Sequence, residues 1–249
     1  MSIQACAELV RIGDPDRFLS AMTAPPAQRG ALFVLYAFNL ELARAPYMSS
    51  EPLIGEMRLQ FWRDVIDDAT RGKSRAHEVA SPLSTLIQEK NLPVDKLWIM
   101  VDARQWHIYF EQFENKNAFS QHISDTNAIL MDLAAYALGG SLGEYANTVG
   151  YVSGLANWYL STPAMIAAGK KPTFEGHQPD ILAQKALEML GDLGAASRAI
   201  TPALRAGWMA KGILKKVAKD PQRIYEGTLM PSEFSRRAGL LWKQITASY

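Results

Sequence analysis

Cysteine is nearly absent from this sequence: Cys6 is the only one in 249 residues. An intrachain disulfide is therefore excluded, and the usage fits a reducing compartment. No histidine neighbours Cys6, so it reads as a bystander and not as a nucleophile. Long apolar runs are missing too. The longest is Ala31–Phe38, far short of the ~20 residues a spanning helix needs. Met1 to Gly13 shows no cationic start, apolar stretch or small-residue cleavage site, which predicts no signal peptide. Charge of one sign is also lacking. Lysine and arginine number 26 against 25 acids, a net +1 that gives no argument for nucleic acid. Together these absences predict a cytoplasmic chain, attached at most to the inner face of a membrane.

The usual catalytic signatures are missing as well. His77, His107, His122 and His177 are scattered, with neither HxxxH nor HExxH spacing. There is no GxSxG, no P-loop and no GxGxxG on a strand–helix unit. No resident metal or cofactor is expected from these patterns.

What is present is helical periodicity. Hydrophobic residues make up 48% and charged residues 20% of the chain, which suits a soluble globular core. One domain over 1–249 is expected. Asp14 before Pro15 predicts an N-cap with proline at the first helical position. A helix after Pro25-Pro26, running toward Pro46, is apolar on almost every side and should be central. Pro52 opens another, with Leu53, Met57, Phe61 and Ile66 expected to face inward. Ser81-Pro82 and Leu92-Pro93 start two more, the second a long one carrying Leu97, Val101, Ile108 and Phe113. Ser120 or Ser124 should cap a helix ending at Gly139-Gly140. Gly143–Ala168 is a further helix, Asp180 to about Lys219 a long one, and Ser232 with Glu233 starts the last. About nine helices with short connections imply one all-α bundle. Gly169–Pro179 should be irregular.

One constellation suggests chemistry directly. Asp64, Asp67 and Asp68 lie at i, i+3 and i+4 on one helix face, as carboxylates do where a helix holds Mg²⁺ against a diphosphate. A solvated acidic face, helped by Arg63 and Arg71, is the plainer explanation. One such cluster is also too little, because a diphosphate leaving group needs several ions and carboxylates from two helices. Asp14-Pro15-Asp16 is the only other acidic group of that kind, and capping accounts for it. Gly150 and Gly154 fall mid-helix, where they permit close packing. Trp62, Trp98, Trp106, Tyr109, Phe110, Trp158 and Tyr159 belong either to core or to an apolar cavity wall.

Several ordered stretches resemble the squalene/phytoene synthase family. They are Asp16-Arg17-Phe18-Leu19-Ser20-Ala21, Leu35-Tyr36-Ala37-Phe38-Asn39-Leu40-Glu41-Leu42-Ala43, Gly55–Asp64, Asp102-Ala103-Arg104, and Gly154-Leu155-Ala156-Asn157 followed by Gly169-Lys170-Lys171-Pro172. The match runs from about residue 14 to residue 175. It implies an isoprenoid synthase-like helical bundle with a central cavity. Enzymes of that family carry two aspartate-rich motifs that bind Mg²⁺ and ionise an allylic diphosphate. Here the first set of aspartates falls on about Ala43, Arg44 and Tyr47, and the second on about Ser161 and Met165. Glu41 is the one acid left near the first, and the basic stretch is reduced to Lys170-Lys171. Hard divalent ions need oxygen ligands, so squalene or phytoene synthesis is expected to be absent. The resemblance places a vestigial pocket at Tyr36, Asn39, Glu41, Arg44, Asn157, Ser161 and Lys170, with no catalytic residue.

The Asn39-Leu40-Glu41-Leu42-Ala43 and Met57–Trp62 runs are closer to the branch of the family that holds a mitochondrial complex I assembly factor and its bacterial relatives. That branch implies a non-catalytic scaffold whose partner is a respiratory complex subunit. Two alternatives stand beside it: a binder of a prenyl lipid or prenyl diphosphate, and a prenyltransferase using Mg²⁺ at the displaced cluster Asp64, Asp67 and Asp68.

Overall fold

The computed structural model describes residues 2–49, 51–194 and 196–249. Among them there are helices, turns and no strand. Helix α1 spans Ile3–Gly13 and α2 Pro15–Met22. The expected cap is present: Asp14 Oδ1 accepts the Arg17 backbone N–H at 2.9 Å. The central helix α3, Pro26–Arg44, buries every residue from Leu32 to Leu40, and Leu42. It packs against α1, α2, α5 (Ala80–Lys90) and α9 (Ile129–Ala137).

Helix α4, Pro52–Thr70, buries Gly55, Leu59, Trp62, Val65, Ile66 and Ala69. Leu53 and Met57 are exposed instead of inward, because the buried stripe is rotated by a residue or two from the one their spacing suggested.

The long helix expected after Pro93 is broken. Helix α6 is Val94–Ala103 and α7 only Trp106–Tyr109, closed by Phe110 at φ 54°. Helix α8, Lys116–Ile123, starts at Asn115, whose side chain accepts the N–H groups of Asn117 and Ala118. Ser120 and Ser124 are therefore interior residues, not caps. A π-helical turn at Ser124–Ala128 joins α8 to α9 without a break in the rod.

Helix α10, Glu144–Ala167, crosses that rod at very short range. A Cβ on Gly150 would sit 2.6 Å from the Ala128 Cα, and one on Gly154 2.6 Å from the Asn127 Cβ. The two glycines thus serve close helix approach, as their mid-helix position suggested. Residues 168–178 form the expected irregular loop.

The long helix expected from Asp180 is divided into α11 (Pro179–Gly191), α12 (Thr201–Leu204) and α13 (Ala210–Lys219). Gly191, Gly194, Pro202 and Gly207 interrupt it. Helices α14 (Gln222–Tyr225) and α15 (Glu233–Ile245) close the fold, with Ser232 capping the last. One apolar cluster centres on α3, α4, α5 and α9. A second lies between α10, α11 and α13. Between α3 and α10 the helices stay apart, and the gap is a cavity.

Candidate functional site: a cavity between α3 and α10

The cavity measures about 380 Å³. Asn39, Leu40, Ala43 and Tyr47 form one wall, and Gly154, Asn157, Trp158, Ser161 and Met165 the facing one. The π-turn adds Thr126 and Asn127, and α2 adds Asp14, Asp16 and Arg17. The floor holds Arg104 and His107, brought there by the break between α6 and α7.

Arg104 sets the electrostatics. It is only 9% exposed, and its Nη2 donates to Asn39 Oδ1 at 2.9 Å. Among the described residues no carboxylate lies within ion-pair distance of it. Burial, with the Arg17 charge adding to it, lowers its pKa to about 10, so it stays cationic at neutral pH. Burial and the Arg104 charge together hold two neighbouring histidines neutral. His122 falls to about 3, and His107 lies well below the ordinary histidine range. Their rings are 5.1 Å apart, within a cluster that includes Trp106, Phe110, Phe113 and Trp158. Tyr47 Oη lies 3.3 Å from His107 Nδ1. His107 Nε2 and Trp208 Nε1, both on lining residues, have no hydrogen-bond partner among the described residues. Buried polar atoms are nearly always satisfied, so a cluster of unsatisfied ones beside a cavity needs an explanation.

Four of the five positions expected for the two aspartate motifs line this cavity, and Arg44 does not. Ala43 and Tyr47 lie across from Ser161 and Met165. Two carboxylates do line the cavity, and both are committed: Asp14 caps α2 and pairs with Arg17, and Asp16 pairs with Arg236 of α15. Among the described residues no three His, Cys, Asp or Glu side chains come together to hold a metal ion. The residues present do not fit a cluster of divalent ions bridging a diphosphate.

The candidate pocket residues divide into groups. Asn39, Asn157 and Ser161 line the cavity. Tyr36 is buried beneath it, with the Arg17 guanidinium 5.3 Å above its ring. Glu41 and Arg44 do not reach the cavity. They line a separate groove of about 320 Å³ with Met48, Arg58, Phe61, Trp62 and His77. At about 100° of rotation per residue, residues 41 and 44 belong to the neighbouring stripe of α3. Lys170 sits 4.5 Å over the Phe110 ring in the loop after α10, outside the lining. Asp64 and Asp68 both pair with Arg75, at 3.3 and 2.7 Å, and with Asp67 they lie outside the cavity. Of the aromatic candidates, Trp158 alone lines the cavity; Trp62 and Tyr159 are core, while Trp98 and Tyr109 are exposed.

Arg17 and Arg104 were absent from the expected pocket, although both stand in stretches that carry the resemblance. A signal for Arg104 existed. It continues the buried stripe of Leu97, Met100 and Val101 at helical spacing, which places a cation on a buried face.

The squalene/phytoene synthase profile matches residues 10–164. This chain belongs to the squalene/phytoene synthase family. Among the curated proteins, "NADH dehydrogenase (ubiquinone) complex I, assembly factor 6" of Homo sapiens is 29% identical over 163 residues, covering 64% of this chain and 48% of that protein. Its homolog in Drosophila melanogaster is 29% identical over 168 residues, covering 64% and 50%. The chain thus spans about half the length of these relatives. A crystal structure of a dehydrosqualene synthase in complex with ligand superposes with TM-score 0.75 at 14% identity, over 99% of this chain and 97% of that one. Squalene synthase HpnC from Alicyclobacillus acidocaldarius gives 0.62 at 13%, over 98% and 94%. At such identities the likeness is one of fold: an all-α isoprenoid synthase-like architecture.

Proposed function

We propose that this protein is a non-catalytic member of the squalene/phytoene synthase family that assists assembly of respiratory complex I by holding one of its subunits. The observation that carries the reading is the pair of cavity walls. Ala43, Tyr47, Ser161 and Met165, the positions that the family resemblance gives to metal-holding aspartates, line them. The names of the similar curated proteins supply the direction. The reading has the partner met in the cytoplasm or at the inner face of the membrane; no helix among the described residues is long and apolar enough to cross a membrane.

Deleting the gene should lower assembled NADH dehydrogenase on native gels, and the wild-type chain should restore it. Purified protein given farnesyl and geranylgeranyl diphosphate, Mg²⁺ and NADPH should release no pyrophosphate. Metal-dependent turnover abolished by Asp64→Ala would overturn the reading in favour of the displaced acidic cluster. Normal NADH dehydrogenase in the deletion strain would overturn it as well.

A second reading is favoured by Arg104. A buried guanidinium without a carboxylate, in a cavity also lined by two unpartnered ring nitrogens, His107 Nε2 and Trp208 Nε1, suits an apolar ligand with an anionic head, such as a prenyl diphosphate, bound without metal. Under this reading farnesyl diphosphate raises the melting temperature in EDTA, farnesol does not, and Arg104→Gln abolishes the shift. An equal shift in Arg104→Gln rejects it.

A further inference from the structure

A second concavity lies apart from the cavity between α3 and α10. It is the groove of about 320 Å³ near the C-terminal end of α3. Three segments build it. Glu41 and Arg44 stand at i and i+3 on α3, which puts them on one stripe of that helix. Arg58, Phe61 and Trp62 stand at i, i+3 and i+4 on α4 and share a stripe in the same way. His77 joins them from the loop between α4 and α5. The volume falls at the lower end of the ~300–1,000 Å³ typical of small-molecule sites, so the groove suits an occupant of that size.

The apolar part of the lining is aromatic. Trp62 is buried, Phe61 meets it edge-on with ring centroids 5.2 Å apart, and the His77 ring lies 5.5 Å from Phe61 and 5.4 Å from Trp62. The polar groups each have one role. His77 Nδ1 accepts the backbone N–H groups of Val79 and Ala80 at 3.1 and 3.3 Å, so the ring proton sits on Nε2 and that nitrogen donates. Among the described residues neither Arg44 nor Arg58 has a carboxylate within ion-pair distance, and Glu41 has no cation within it. Packing positions Arg44: a Cβ on Gly13, the last residue of α1, would come within 2.6 Å of its Nη2. The nearby acids of α4 are taken, since Asp64 and Asp68 pair with Arg75. Opposite charges that line one groove without bridging leave their hydrogen-bonding positions open to an occupant. Two guanidiniums and an imidazole N–H can only donate to it, and one carboxylate can only accept.

We propose that this groove binds a small zwitterion with an aromatic body, the chemistry of a free aromatic α-amino acid. Arg44 and Arg58 hold the ligand carboxylate, which the planar guanidinium fork matches in shape and charge. Glu41 accepts from the ligand ammonium, and the ligand ring lies against Phe61 and Trp62. A purely anionic ligand would set a like charge beside Glu41, and a purely cationic one would leave both guanidiniums without an acceptor. A zwitterion meets all three charges at once. The inference concerns a site outside the cavity and rests neither on the assembly role nor on a cavity ligand.

Titration calorimetry and thermal shift on the full chain test it, with L-phenylalanine and L-tryptophan as probes. Each should bind with a measurable heat and raise the melting temperature. Phenylpropionate lacks the ammonium, L-phenylalanine methyl ester lacks the carboxylate, and glycine lacks the ring. Each of these should bind at least about tenfold more weakly than L-phenylalanine, the size of one lost charge-assisted contact or of the lost apolar burial. Arg44→Gln and Arg58→Gln should each cost about tenfold. Glu41→Gln should erase the preference for L-phenylalanine over phenylpropionate, a change that a merely structural role would not produce. L-phenylalanine should also change the tryptophan emission, and Trp62→Phe should remove that change. Arg44 and Arg58 are exposed, so without ligand their variants should keep the wild-type far-UV spectrum and melting temperature, which separates lost binding from lost folding. Absence of heat and shift with both amino acids overturns the proposal. So does equal affinity for L-phenylalanine and phenylpropionate, wild-type affinity in the Arg44→Gln/Arg58→Gln double variant, or an emission change that persists in Trp62→Phe. Tighter binding of an acidic peptide than of the free amino acids gives the groove to a protein partner and overturns it too.

Discussion

Two arginines show how differently this molecule treats its interior and its surface. Arg75, on the outside, lies between two carboxylates, Asp64 at 3.3 Å and Asp68 at 2.7 Å. Arg104, on the cavity floor, has the Asn39 side-chain oxygen and no carboxylate. Of these two, the charge that water already solvates is paired and the buried one is not. Selection for stability alone gives the reverse pattern. The cavity therefore holds a cation with no carboxylate beside it, while the acidic face of α4 needs no metal to explain its acids. Elsewhere in the interior the fold does pair charge. Asp132 is fully buried, with Lys96 Nζ 3.1 Å from Oδ2 and the Gly143 N–H donating to Oδ1 at 3.0 Å.

Lys96→Met sharpens the contrast most. It leaves the Asp132 carboxylate buried without its cation and should cost ~3–5 kcal/mol in urea unfolding. A loss under about 1 kcal/mol would mean that the interior is far wetter than its geometry implies.

The histidines beside Arg104 come next. Their folded pKa lies below the ~6.5 of an unfolded histidine, so they favour the folded state fully above that pH. Stability is lost as pH falls from ~6.5, and for His122 the loss continues down to about 3. At pH 5 His122 should remove ~2 kcal/mol, measured as the pH dependence of the unfolding free energy, and His107 adds a loss of the same sign. His122→Phe should flatten that slope by one proton.

Arg104→Met has a smaller effect of the opposite sign. Removing a buried, unpaired charge should raise stability by ~1–2 kcal/mol, while any anion-induced thermal shift disappears. A strongly destabilised Arg104→Met would show that the guanidinium is structural. The smallest effect belongs to Arg75→Ala, which should leave the denaturation midpoint unchanged, because both carboxylates it releases reach water.

The fold was largely legible because its strongest signals are local. The Asp14-Pro15 start, the apolar run of α3, the glycines of α10 and the Ser232 cap each depend on a few neighbouring residues. The errors fall where chain breaks depend on packing. Apolar periodicity continues through Arg104 and Gln105, so nothing nearby announces that α6 stops at Ala103. The same holds between α11 and α13. Asn39, Asn157 and Ser161 line one cavity because they sit where α3 and α10 face each other. Glu41 and Arg44 line a separate groove, since one or two residues along α3 carry a side chain onto another face.

The sequence by itself determined that this chain is helical, which family it belongs to, and which residue types replace the aspartates. Composition and short-range pattern suffice for those. Only the tertiary structure decided that Arg104 and His107 share a cavity with Asn39, that Asp14 and Asp16 are already paired, and that Glu41, Arg44 and Arg58 line one groove with Phe61 and Trp62. Each of these depends on how helices distant in sequence are rotated about their axes, and that rotation is fixed by the sum of many packing contacts, which no local window contains.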